Sequence, residues 1–218
     1  QHGTDAQKQY YLPKMATGET RGAFSMSEPE LGSDVAAIRT RAKDNGDGTY
    51  TIDGQKMWLT NGGSSTLVAA LVRTDEGADK PHRNLTAFLI EKPSGFGEVA
   101  PGLIIPGKLD KLGYKGIDTT ELIFDGYRAA ATDILGEARG QGFFQMMDGV
   151  EVGRVNVSAR ACGVGVRAFE LAVRYAQQRS TFGKPIAEHQ AIAFQLAEMA
   201  TKVEAAHLMM VNAARLKD

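Results

Sequence analysis

The feature that most constrains this chain is a change of period at Gly142. From Phe24 to about Tyr127, short β-rich runs are cut by turn signals at Asn45-Gly46-Asp47-Gly48, Asp53-Gly54, Asn61-Gly62-Gly63, Pro93-Ser94-Gly95, Pro101-Gly102 and Pro106-Gly107. After Gly142 the apolar residues Val155, Ala159, Cys162, Val166, Phe169, Val173 and Ala176 recur alternately four and three apart, the spacing of one helical face. A second stripe, Ile192, Leu196, Met199, Val203, Ala206, Met210 and Ala214, follows a break at Thr181-Phe182-Gly183-Lys184-Pro185. The first stretch predicts an antiparallel β sandwich or barrel. The second predicts a long antiparallel helical hairpin forming part of a helical bundle, so the fold class is α+β.

Within the sheet, Tyr50-Thr51-Ile52 and Lys56-Met57-Trp58-Leu59-Thr60 are expected to flank Asp53-Gly54 as a hairpin. Leu67–Val72, Thr86–Ile90 and Glu121–Phe124 supply further strands. Gln7–Met15 reads as the tail of a helix ending at the Gly18 and Gly22 breaks. The expected division is residues 1–22 as the tail of an N-terminal helical domain, 23–130 as a β domain, and 131–218 as the first helices of an incomplete helical bundle. Two such helices alone leave apolar surface uncovered, which calls for further helices or for other subunits.

Composition excludes more than it proposes. The 218 residues are 43% hydrophobic, enough for a core, and 25 basic against 26 acidic residues give a net charge of -1. Dispersed charge of that kind offers nothing to nucleic acid or to a membrane surface, so an anionic ligand must be held locally. A single cysteine, Cys162, excludes an internal disulfide and suits a reducing compartment. No apolar run approaches the ~18 residues of a spanning helix. His2, His82, His189 and His207 show no metal-ligand spacing, and Gly163-Val164-Gly165 lacks the preceding strand of a dinucleotide motif. The first residue is Gln1 and the last, Asp218, falls on a helical pattern, so both ends read as cut.

Two segments carry chemistry. Phe24-Ser25-Met26-Ser27-Glu28-Pro29-Glu30-Leu31-Gly32-Ser33-Asp34 gathers hydroxyls, a proline bend and a glycine, as a ligand-holding turn requires. Each buried acceptor left unpaired on such a ligand costs about 1–3 kcal/mol. On this segment alone, an ordinary capped turn before a strand accounts for the residues equally well. In Lys56-Met57-Trp58-Leu59-Thr60, alternation puts Trp58 and Thr60 on one face. Taken singly, Trp58 is a core aromatic and Thr60 a β-former.

Together the two segments resemble the acyl-CoA dehydrogenase family. The likeness runs from Ser27-Glu28-Pro29 and Gly32-Ser33-Asp34 through Met57-Trp58-Leu59-Thr60-Asn61-Gly62 to Gly113 and Gly116. It continues at Arg154 with Gly163, at Arg179-Ser180-Thr181-Phe182-Gly183-Lys184 and at Glu188-His189-Gln190, covering nearly the whole chain in family order.

The resemblance implies FAD as cofactor. Phe24, Met26 and Ser27 would line the flavin ring, Ser27 standing where many members have threonine. Trp58 would cover the flavin and Thr60 would donate to its N5. Ser33 would bond a cofactor phosphate or the pantetheine arm of the ligand. Arg179, whose planar fork suits a pyrophosphate, would reach the FAD of a neighbouring subunit, with Phe182, His189 and Gln190 beside it.

The activity implied is α,β-dehydrogenation of an acyl-CoA thioester, with an electron-transferring flavoprotein as acceptor. The protein would be a homo-oligomer, a dimer of dimers in the family, in a bacterial cytoplasm or the mitochondrial matrix. An acyl-CoA oxidase, or a non-catalytic fragment with an unfilled flavin site, are the alternatives. Glu151 and Arg154 fall where relatives touch the CoA chain. Gly153 stands where some members place the catalytic glutamate, so the base is expected beyond Asp218 and the 218 residues alone are expected to be inactive. Without the family match, Glu151 reads as an ion-pair partner of Arg154 and Arg179 as a helix end.

Overall fold

The structure, a computed structural model, describes residues 1–74 and 79–217. It divides into two compact units, Gln1–Met147 and Asp148–Asp218.

The first unit opens with helix α1 (Asp5–Thr17). Thr4 caps it by accepting from Gln7 N, Gln7 Oε1 accepts from Thr4 N in return, and Gly18 ends it in the left-handed conformation. Eight strands follow: β1 (Gly22–Ser25), β2 (Arg41–Asp44), β3 (Thr49–Thr60), β4 (Leu67–Arg73), β5 (Leu85–Glu91), β6 (Gly97–Ala100), β7 (Leu103–Ile105) and β8 (Thr119–Ala130). They form one curled sheet in the order β1-β4-β2-β3-β8-β7-β6, with β5 also on β4. Most pairs are antiparallel, but β1 and β2 both meet β4 in parallel, β1 at Leu67–Ala70 and β2 at Arg73. The sheet is therefore mixed.

The long β3–β8 ladder, from Thr49↔Ala130 to Thr60↔Thr119, is the spine of this sheet. Against the sequence expectation, Asp53-Gly54 is no hairpin turn. β3 runs straight through it, and the turn that reverses the chain is Asn45–Gly48, between β2 and β3. Gly54 serves a different need: its φ is 139°, and a Cβ there would lie 2.7 Å from the Thr40 Cα. The same dipeptide that signals a tight turn is here an irregularity that lets two backbones approach.

The core lies inside the curl, where Ile52, Leu59, Val68, Val72, Phe88, Ile90, Leu103, Leu122 and Phe124 pack together. A second cluster of Val35, Ile38, Leu71, Leu85, Ala87 and Met146 uses the opposite face of β4 and β5. Each such side chain contributes roughly 1.5–3 kcal/mol of burial.

Helix α2 (Gly142–Gln178) begins at the period change read from the sequence and continues into the second unit. There it is followed by the two-residue strands β9 (Ser180–Thr181) and β10 (Lys184–Pro185), then by α3 (Gln190–Lys217). The helices run antiparallel: Lys217 Nζ bonds Glu151 Oε2 at 2.7 Å and Asp148 Oδ1 at 3.3 Å, and Val203 approaches Gly165 midway. Most of the two apolar stripes is only half-buried. Val157, Val164, Leu171, Phe194, Leu208 and Met209 are exposed.

Candidate functional site

The two motif segments meet on the sheet. Two consecutive carbonyls of the bend after β1 are held by two consecutive residues of β3: Met57 N donates to Ser27 O at 3.0 Å and Lys56 Nζ donates to Met26 O at 3.2 Å. Immediately beyond, β3 bulges. Its register slips between Lys56 (opposite Leu122) and Leu59 (opposite Thr120), so Met57 and Trp58 together face one residue of β8.

Trp58 adopts a φ of 65°, a left-handed conformation that is costly for a bulky residue. The slip keeps Lys56 and Leu59 both buried and leaves Trp58, at 60% exposure, and Thr60 standing out of the core on either side of Leu59. Simple alternation puts Trp58 and Thr60 on one face; it anticipates neither their exposure nor the bulge between Lys56 and Leu59. Among the described residues, neither the Ser27 nor the Thr60 hydroxyl is engaged by another protein group.

The other expected residues fall as follows. Phe24 projects from β1, exposed between buried Ala23 and Ser25. Met26 is half-buried and packs against the second core cluster while offering its carbonyl to Lys56. Ser33 lies exposed two residues beyond the Glu28–Leu31 bridge. Arg179, Phe182, His189 and Gln190 come together in the second unit, around the β9–β10 turn. There Ile186 N donates to Arg179 O at 2.8 Å. His189 Nε2 lies 3.1 Å from Thr181 Oγ1, and the Phe182 ring stands edge-on to the His189 ring. Phe182 is 97% exposed on a left-handed backbone. Glu151 and Arg154 lie on α2, but the carboxylate of Glu151 is paired with Lys217 rather than with Arg154.

Sequence reasoning passed over Lys56, Glu28 and Asp118. Lys56 is fully buried, and its Nζ sits 3.0 Å from Glu28 Oε1. Glu28 also accepts from Arg39 N (2.7 Å), Thr40 N (2.9 Å) and Thr40 Oγ1 (2.7 Å). Burial raises the Glu28 carboxyl, but the Lys56 ammonium and these hydrogen bonds outweigh it and hold it below the ordinary carboxylate range. Burial pushes Lys56 down to about 8, with the Glu28 carboxylate pulling the other way.

Asp118 fixes the turn that follows Thr60, accepting from Gly63 N (2.7 Å), Ser64 N (3.1 Å) and Ser64 Oγ (2.8 Å). Burial raises its carboxyl, but those donors overcome it and keep it below its usual value. Only the reuse of one polar segment by another, distant in sequence, could have signalled these three.

A curled sheet that carries an indole and two open hydroxyls, followed by a helical hairpin, defines the class through its relatives. Residues 23–127 match the model "Acyl-CoA dehydrogenase, middle domain" and residues 140–218 the model "Acyl-CoA dehydrogenase, C-terminal domain". The chain belongs to the acyl-CoA dehydrogenase family.

An acyl-CoA dehydrogenase of Bacillus subtilis is 40% identical over 98% of this chain and 54% of its own length. The solved butyryl-CoA dehydrogenase of Megasphaera elsdenii superposes with a TM-score of 0.89 at 37% identity, over 98% of this chain and 54% of that one. The prolyl acyl carrier protein oxidase AnaB superposes with a TM-score of 0.89 at 30% identity, over 99% of this chain and 55% of that one. The chain thus spans about half the length of the relatives it matches. Among the described residues, no helix is long and apolar enough to cross a membrane, and no cluster of side chains could hold a metal ion.

Proposed function

We propose that the whole protein removes hydrogen from the α and β carbons of an acyl-CoA thioester with FAD as cofactor. The observation that carries this reading is the Met57 N to Ser27 O bond of 3.0 Å, which sets the Ser27 bend beside exposed Trp58 and Thr60. An apolar plane next to uncommitted hydroxyls suits a flat heteroaromatic ring whose edge carries acceptors.

Phe24, Met26, Ser27, Trp58 and Thr60 would hold the flavin ring, and Ser33 a phosphate or the pantetheine arm. Bound FAD supplies the hydride acceptor that amino-acid side chains lack. What these residues do is orient the ring, donate to its edge and exclude water from one face. Exposed Arg179 and Phe182, with His189 and Gln190, would reach the FAD of a neighbouring subunit. The bare apolar residues of α2 and α3 support such an oligomer.

Arg154 and Glu151 would lie along the CoA chain. Glu151 is engaged by Lys217 at 2.7 Å on an exposed helix surface, which suits an ion-pair partner better than a desolvated proton-abstracting carboxylate. We infer accordingly that the 218 residues by themselves do not turn over acyl-CoA. The reduced cofactor would pass its electrons to an electron-transferring flavoprotein, in a bacterial cytoplasm or the mitochondrial matrix. Oxygen as acceptor is the second reading, which the superposition with a protein named an oxidase favours.

The test is anaerobic. The whole protein, loaded with FAD, should lose its visible flavin absorbance on addition of acyl-CoA. Rapid recovery of colour on admitting air would favour the oxidase reading. Flavin that binds but never bleaches with any acyl-CoA would reject both, and failure to bind FAD would leave a non-catalytic subunit.

A further inference from the structure

We infer that Lys56 is a positioning residue for the flavin-facing bend, acting through Met26 and Glu28 without touching the cofactor. The inference rests on the flavin reading above. Lys56 is 0% exposed and its partner Glu28 6%, so the pair is buried in the sheet rather than laid over it. Replacing a buried ion pair with apolar side chains of similar volume is often neutral or stabilising, so stability alone does not call for one here.

What an apolar residue could not supply is direction. One Lys56 ammonium bonds both the Met26 carbonyl and Glu28 Oε1, while the next residue of β3 bonds the Ser27 carbonyl. Glu28 is in turn fixed by Arg39 N and by Thr40, so the clamp ties the bend to β3 and to the two residues that precede β2 at once.

Carbonyls 26 and 27 are both held by β3, at the two residues that immediately precede Trp58, while the Ser27 hydroxyl is not spent on either bond. The register of the two halves of the face, Ser27 on one side and Trp58 with Thr60 on the other, is therefore set by Lys56 and Met57. Removing the ammonium leaves the Ser27 bend held by a single backbone bond on this side.

The deciding experiment uses the whole protein and the double variant Glu28→Gln with Lys56→Met, which removes both charges but keeps the volume. Apoprotein melting, FAD dissociation constant and the visible flavin spectrum are measured for it, for wild type and for Leu103→Ala, a core truncation in β7. The expected result is a double variant that melts within a few degrees of wild type, binds FAD at least tenfold more weakly and shows a shifted flavin band. Leu103→Ala should melt lower and bind FAD within twofold of wild type.

Should the double variant not fold, Glu28→Gln with Lys56→Gln, which also removes both charges and leaves neither one unmatched, carries the same expectation of weakened binding. A folded variant with wild-type FAD affinity and spectrum overturns the positioning role and leaves the flavin reading intact. A wild-type protein that binds no FAD overturns both.

Discussion

Lys56 Nζ lies 3.0 Å from Glu28 Oε1, and both side chains are closed off from solvent. A charge deprived of its partner in such a place is far worse than no charge at all. Lys56→Met should therefore destabilise the sheet by about 3–5 kcal/mol, the range for breaking a buried pair by deleting one member. Adding Glu28→Gln should recover most of that loss, and urea unfolding of the two variants measures the difference.

The same pair sets a dependence on acid. The Glu28 carboxyl is held below its ordinary value of 4.5 in the folded state. The unfolded chain therefore takes up this proton first as pH falls. The stabilisation is complete above that ordinary value and is lost as pH falls through the lower, folded one. Unfolding of wild type and Glu28→Gln followed between pH 7 and pH 3 should show the wild-type advantage shrinking below about 4.5. An advantage that is constant with pH would mean the carboxylate charge contributes nothing.

Gly54 is expected to tolerate no side chain. Its φ of 139° and the 2.7 Å approach of the Thr40 Cα to the place of a Cβ combine backbone strain with a collision against main chain. Gly54→Ala should cost on the order of 2–4 kcal/mol, readable as a lowered melting temperature. Because Thr40 also bonds Glu28, the effect should reach the Ser27 bend and weaken FAD binding as well.

Gln7 holds α1 to the rest of its unit. Its Nε2 donates to Ile134 O at 2.9 Å and its Oε1 accepts from Gly136 N at 2.9 Å, besides closing the capping box with Thr4. Gln7→Ala should cost about 1–3 kcal/mol and speed amide exchange throughout Asp5–Thr17, leaving exchange in β3 and β8 unchanged.

How much of this was legible in the sequence follows from the range of each interaction. The start of α2 at Gly142, the Asn45–Gly48 turn and the half-buried stripes are local patterns, and local patterns read correctly. Asp53-Gly54 misled because a glycine with positive φ serves turns and bulges alike, and only Thr40, fourteen residues away, decides between them.

Lys56 reads as a surface lysine by every compositional expectation. Its burial depends on Glu28, which is itself fixed from Arg39 and Thr40. Trp58 and Thr60 were paired by alternation, yet their shared exposure comes from a bulge that the sequence did not signal. Asp118, which caps the turn after Thr60 from a different strand junction, left no local mark at all.

The central claim is that the face bearing Ser27, Trp58 and Thr60 receives a flavin. Trp58 is the only tryptophan in these 218 residues, so its emission reports on that face. The most direct measurement is a titration of the whole apoprotein with FAD, following tryptophan fluorescence in wild type and in Trp58→Phe. The expected result is quenching of the Trp58 component, the difference between the two proteins, saturating at one FAD per chain. FAD that binds while the Trp58 component keeps its full intensity would contradict the claim.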